Sequence, residues 1–342
     1  MISSYQFGKT DDGKNVTAYC ITNKNGSKAT FLDYGLTLYS LCVPDAKGTL
    51  VDVVLGYPEP TSPMEGNFVG VTVGRVANRI ENAQFVIDGE TFHVPVNDNC
   101  NCLHSGSVFV GRIWNVAEDG DALLCTCLSP DGEDGFPGTL KTTVRLSLSD
   151  TNTLTIDYRA LTDKTTPVNL TNHAYFNLMG KGTALTHTLS IDADSVTVAD
   201  GKLIPHGVTL SVEGTPFDFR APKMVGRDID QPNEMLQAVG GYDCNFVLRG
   251  AGVRHAAKLC ADNGIVMDVF TDAPCVQLYT ANFLPERQGK DRVHAPRCAL
   301  CLETQGYPNA VNVPAFPSVL LAPGEEYRTV TQYAFGTASK SN

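Results

Sequence analysis

Long apolar runs are missing from this sequence of 342 residues. None approaches the ~18 consecutive apolar residues of a membrane span, so no membrane partner is expected. Met1 to Lys9 lack both a basic start and the apolar stretch of roughly 7 to 15 residues that marks a secretory signal, which points to a cytoplasmic location. Basic charge is also short: 26 Lys and Arg stand against 37 Asp and Glu, a formal net charge of −11. Without a cluster of Lys or Arg interleaved with aromatics, such a chain repels a phosphate backbone, and no nucleic-acid partner is expected. The eleven cysteines are odd in number and too thinly spread for a disulfide scaffold, which predicts free thiols. No glycine-rich phosphate loop of either common spacing occurs, which removes support for nucleotide and dinucleotide chemistry.

Helical periodicity sustained over 11 residues is hard to find, whereas alternation with period two is frequent. Thr143 to Leu148 and Leu154 to Tyr158 both alternate, and the turn-forming Ser149-Asp150-Thr151-Asn152 between them predicts an antiparallel hairpin. Thirty-one glycines and nineteen prolines punctuate the rest at short intervals, with room for short helices near Met224 and Met235. Many short strands with few helices predict an all-β sandwich or barrel. With no repeat, low-complexity tract or linker to divide it, residues 1–342 read as a single domain. After about Phe335 the chain is small and polar, as a frayed tail would be.

Several polar clusters interrupt this strand pattern. In Asn169-Leu170-Thr171-Asn172-His173-Ala174-Tyr175, alternation puts Asn169, Thr171, His173 and Tyr175 on one face. A solvated face and the wall of a polar cavity both fit that spacing, and spacing does not choose between them. Glu303 follows an apolar run on the same face as Ala299 and Cys301, either as a solvated strand end or as a partly desolvated general base whose mouth Gln305 to Pro308 would shape. Arg79, after Asn78, fits a surface ion pair as well as a hydroxyl donor, and His104 sits at the turn signal Ser105-Gly106. Cys298 and Cys301 with His294 superficially suggest zinc ligands. Residues three apart on a strand face opposite ways, however, and nothing completes a set of four, so no metal site is expected. Cys100 with Cys102, and Cys125 with Cys127, read as same-face pairs filling a core.

Taken together and in order, Gly74 to Ile80, Leu103 to Gly106, Thr171 to Leu178, Asp243 to Leu248 and Glu303 to Asn312 resemble the corresponding segments of the aldose 1-epimerase (galactose mutarotase) family. The resemblance spans roughly residues 5 to 335. It implies a large antiparallel β-sandwich with an open sugar cleft on one sheet. It also implies an enzyme that interconverts the α and β anomers of free aldoses such as galactose and glucose, with no cofactor. By matching position, Glu303 resembles the family's general base and His173 its general acid. Asn78, Arg79, His104, Asp243 and Gln277 resemble its sugar-binding groups, and Tyr175 lines the same wall. One position departs from the family pattern: Cys244 follows Asp243 where a histidine is usual, which bears on sugar affinity or preference.

That residue set suits the implied reaction. A cyclic hemiacetal opens when its anomeric hydroxyl loses a proton and its ring oxygen gains one, so a base and an acid suffice. With Glu303 ionised and His173 protonated, kcat is expected to be bell-shaped in pH. The alternative is a non-catalytic sugar-binding or sensing protein with the same cleft, which has no need of both Glu303 and His173.

Overall fold

The computed structural model describes residues 1–61 and 68–338, and its elements are overwhelmingly antiparallel strands. Two large sheets dominate. One has nine strands, in the order Asn115–Asp119, Ala122–Ser129, Leu140–Leu148, Thr153–Thr162, Tyr327–Thr337, Ile265–Thr271, Arg254–Cys260, Thr188–Ile191 and Lys223–Met224. The other has six, in the order Tyr175–Phe176, Leu300–Gln305, Cys275–Tyr279, Asp243–Leu248, Ala193–Ala199 and Pro205–Ser211. A five-stranded meander made by residues 2–52 flanks them.

The predicted hairpin is present, with Leu148 opposite Leu154 and Val144 opposite Tyr158. Its alternation decides which residues enter the core: Val144, Leu146, Ile156 and Tyr158 are buried, and the intervening residues are not. Inward-facing residues of the two sheets share one apolar cluster. Leu146, Ile156, Leu259 and Met267 come from the larger sheet, Phe246, Leu278, Leu300 and Leu302 from the smaller. The Phe176 and Tyr333 rings meet across it at 5.0 Å. This is the packing of a β-sandwich, with a dry layer between facing sheets.

Among the described residues one α-helix occurs, Glu234–Val239, at the expected Met235; near Met224 there is only a 3-10 turn, Val225–Arg227. Asn233 caps the helix by accepting from the N–H groups of Met235 and Leu236, and Gly240 ends it in the left-handed region. The expected frayed tail begins later than Phe335, because Gly336 and Thr337 still pair with Val266 and Ile265; residues 339–342 lie outside the described residues. No two of the eleven cysteines are bonded to each other. Cys125 and Cys127 are the same-face core pair expected, but Cys100 precedes the strand Cys102–Leu103, so those two share no strand. No helix among the described residues is long and apolar enough to cross a membrane.

Candidate active site

Because Leu300 and Leu302 face the core, Cys301 and Glu303 must point out of the opposite face of the six-stranded sheet. Register extends this into polar rungs. Tyr175, Cys301, Tyr279 and Asp243 lie side by side on four successive strands, and Glu303, Gln277 and Asn245 form the next rung. A sheet's outer face normally meets water, but loops cover this one. Phe68, Asn78, Arg79, Leu103, His104 and Phe283 join His173, Tyr175, Tyr279, Asp243 and Glu303 around a cavity of about 110 Å³. Cavities of about 690 and 810 Å³ lie elsewhere, yet neither contains a histidine, so size does not single out the reactive site.

The covering loops are clasped from within. Arg79 and Ile80 pair with Leu103 and Cys102 as a two-residue ladder. The N–H of Asn78 donates to His104 Nδ1 at 3.1 Å, and the N–H of His104 donates to the Asn78 carbonyl at 3.0 Å. Asn78 has φ +62°, a conformation that asparagine tolerates better than most residues. Accepting at Nδ1 leaves neutral His104 with its proton on Nε2, as a fixed donor toward the cavity. Arg79 Nε meets Asp98 Oδ2 at 2.6 Å in a pair that is largely buried, not on the surface, and Arg79 also lines the cavity.

His173 Nε2 lies 3.7 Å from Glu303 Oε1, with the two residues only 5% and 2% exposed. The imidazole stacks on Tyr175 at 5.1 Å and 18°. Burial pushes His173 down to about 4. Burial, and then the neighbouring Asp243 charge, hold Glu303 well above the usual carboxylate range against the opposing pull of Arg79. Both displacements oppose an ion pair: burial favours neutral His173 and a protonated Glu303 over the charged pair. Glu303 Oε2 is buried with no hydrogen-bond partner among the described residues. Burial raises Asp243 too, opposed by Arg79 and by the Gln277 amide, which donates to Asp243 Oδ1 at 2.6 Å.

Of the expected site residues, Glu303, His173, Asn78, Arg79, His104, Tyr175 and Asp243 converge on the cavity. Gln277, beside Glu303 on the same rung, donates to Asp243 and lines an adjoining pocket with Asn78, Arg79 and Asp243. The single polar face expected for Asn169 to Tyr175 does not form. Thr171–Asn172 pairs with Thr72–Val73, and Tyr175–Phe176 pairs with Cys301 and Leu300, so the chain turns between them. Asn169 accepts from the N–H of Gly306 at 2.7 Å and, with Gln305 to Tyr307, lines the 690 Å³ cavity instead of the mouth beside Glu303. Phe68, Leu103 and Phe283 form that mouth. Cys244 is 2% exposed in the core cluster, one residue along the strand from Asp243 and so on the opposite face.

Tyr279 and Cys301 were missed by residue-level reading. Their signal was positional, same-face spacing from Asp243 or Glu303 once strand register is known. His104, His173 and Glu303 bring one ligand atom each within 4.8 Å of one another, the layout of a metal triad. The His104 tautomer opposes that use, because a metal-bound Nε2 needs its proton moved to Nδ1, where the Asn78 N–H already donates. Cys298 lies ahead of the strand Leu300–Gln305 in the same apolar cluster as Cys301, so strand alternation does not separate the two.

The pattern of the family named aldose 1-epimerase matches residues 17–334. The galactose mutarotase of Rattus norvegicus is 39% identical, over 97% of this chain and 98% of its own length. The aldose 1-epimerase of Escherichia coli is 37% identical, over 95% of this chain and 96% of its own. Among solved structures, the aldose epimerase homologue of C. elegans superposes with a TM-score of 0.86 at 32% identity, covering 94% of this chain and 98% of that one. The galactose 1-epimerase of Lactobacillus acidophilus gives 0.88 at 27% identity, covering 99% of each.

Proposed function

We infer the role of each cleft residue from one premise: the chain belongs to the aldose 1-epimerase family and is a mutarotase, an isomerase acting on free sugars. In this reading a free aldose such as galactose or glucose sits with its anomeric hydroxyl facing Glu303 and its ring oxygen facing His173. Glu303 takes the proton of the anomeric hydroxyl while His173 Nε2 gives one to the ring oxygen. The bond from C1 to the ring oxygen breaks and the carbonyl forms. Rotation about C1–C2 presents the other carbonyl face, and reversed proton transfers close the ring as the opposite anomer. His104, as an Nε2–H donor, with Asn78, Arg79, Asp243 and Tyr175, holds the remaining hydroxyls. No step requires a metal or a redox cofactor. The cytoplasm, where free hexoses are metabolised, is the proposed location.

The observation that carries this reading is the buried pair 3.7 Å apart with oppositely displaced proton affinities. Ionised Glu303 with protonated His173 contains the same number of protons as the neutral pair. The two states are tautomers, one suited to the cyclic sugar and the other to the open aldehyde. The singly protonated pair therefore defines the active range. Activity falls below about pH 4, where His173 takes a second proton, and again well above the usual carboxylate range, where the pair loses its only one.

Optical rotation of freshly dissolved α-galactose and α-glucose tests this. Wild-type protein should speed relaxation to an unchanged final rotation, and Glu303→Gln and His173→Asn should each lose about 10²- to 10⁴-fold in kcat. If wild type binds sugar by calorimetry but leaves the relaxation rate unchanged, the catalytic reading fails and a sugar sensor takes its place. A kcat with neither an acid limb near pH 4 nor an alkaline limb above the usual carboxylate range would remove the proton-sharing pair.

A further inference from the structure

The mechanism uses one nitrogen of His173; the other faces a side chain given no part in it so far. Nδ1 lies 3.4 Å from Sγ of Cys301, whose residue is fully buried, while Nε2 points toward Glu303. Cys301 and Glu303 are two apart on the strand Leu300–Gln305 and share a face, so one rigid strand carries the base and also the contact behind the acid. We propose that Cys301 is a positioning residue for proton transfer: its neutral thiol holds the Nδ1 edge so that Nε2 faces the ring oxygen, and as a weak acceptor it leaves the Nε2 proton easily surrendered. The proposal rests on the reading of His173 as the acid.

Two observations support the neutral state of the thiol and its consequence. Burial, with Glu303 and Asp243 adding to it, pushes Cys301 well above the ordinary thiol range, so no thiolate faces the ring. In a hydrolase triad the corresponding nitrogen donates to a carboxylate, which stabilises imidazolium and suits a histidine that must first act as a base. Here the histidine must act first as an acid. The other groups against its ring are Tyr175, Tyr279, His104 and Phe68, none of them an anion at neutral pH. The other ionisable groups in the cavity are Arg79 and the carboxyls of Asp243 and Glu303. As the proton leaves Nε2 for the ring oxygen, Nδ1 keeps its own and continues to donate to sulfur, so no further proton acceptor is needed.

Three variants measured by polarimetry over pH, with thermal midpoints alongside, test the assignment. Cys301→Ala should lose about 10- to 100-fold in kcat with KM within about twofold, as expected when a proton donor is misplaced by a fraction of its working distance. Cys301→Ser, whose hydroxyl can still hold Nδ1, should recover most of that loss. Cys301→Asp should move the acid limb of kcat upward by roughly 1 to 3 pH units and lower the plateau, because an anion beside the imidazolium strengthens its hold on the proton. If Cys301→Asp does not fold, the Ala and Ser variants decide alone. Folded Ala and Ser variants with wild-type kcat and limbs overturn the proposal. So does an Ala variant whose KM, kcat and thermal midpoint fall together without rescue by Ser, since that describes packing. Should His173→Asn keep its activity, the acid assignment itself fails; if it is inactive while every Cys301 variant matches wild type, only this proposal falls.

Discussion

Gln277 and Cys244 both neighbour Asp243, one across the sheet and one along the chain, and the structure gives them different surroundings. Gln277 donates one amide N–H to Asp243 Oδ1 at 2.6 Å, and its Oε1 has no hydrogen-bond partner among the described residues. A hydrogen bond to a charged group contributes about 1.5–3 kcal/mol, so Gln277→Leu should raise KM for galactose roughly 10- to 100-fold through a loosened Asp243, with kcat little changed. A fall in kcat at constant KM would instead place Gln277 in the proton-transfer step. Cys244 stands beside Asp243 in sequence but packs into the core with Leu278 opposite it. Cys244→Ala is therefore expected to leave KM unchanged and to lower the thermal midpoint, because what it loses is buried apolar contact.

At the scale of elements, a buried cation adds a tie beneath the site's loops. Arg75, fully buried, donates to Ser129 Oγ and to the carbonyls of Ser129, Pro130, Pro137 and Gly138, and its guanidinium lies 5.7 Å from the Phe136 ring. It thereby fixes the segment that delivers Asn78 and Arg79 to the cavity. Arg75→Met should leave those carbonyls unpaired and cost about 3–5 kcal/mol, read as a lowered midpoint in denaturant. In folded protein it should weaken sugar binding before it affects chemistry; an unchanged midpoint would show the anchor to be dispensable. Nothing in the sequence separates Arg75 from Arg79, four residues on, because the difference lies in what packs around each. The hairpin from Leu140 to Thr162 was legible because both of its strands alternate without interruption. Asn169 to Tyr175 was not, because two short strands with different partners share one run of polar residues.

At the scale of the whole molecule, burying ionisable groups makes stability depend on pH. His187 is fully buried, accepts from the N–H of Leu178 at 2.9 Å, and is pushed by burial from 6.5 to about 4. An unfolded chain takes up that proton near pH 6.5 and the folded one does not until about 4, so stability falls as pH falls through this window, by on the order of 3 kcal/mol for this group. His173 and His294, also lowered to about 4 by burial, act in the same direction. Glu303 acts oppositely: its raised value means stability is lost as pH rises above the unfolded value of 4.5. The thermal midpoint should therefore drop steeply between about pH 6.5 and 4, and His187→Gln should flatten that drop. A midpoint constant across the window would contradict the burial of neutral histidines. The sequence by itself determined the all-β class and the family, because alternation, turn residues and ordered motifs are local patterns that survive in one dimension. Tertiary structure alone decided that Gln277 donates to Asp243, that Cys244 faces away, that Asn169 leaves the site and that a thiol backs His173. Each depends on strand register and on which sheet face is covered, and a shift of one residue in register would reverse them all.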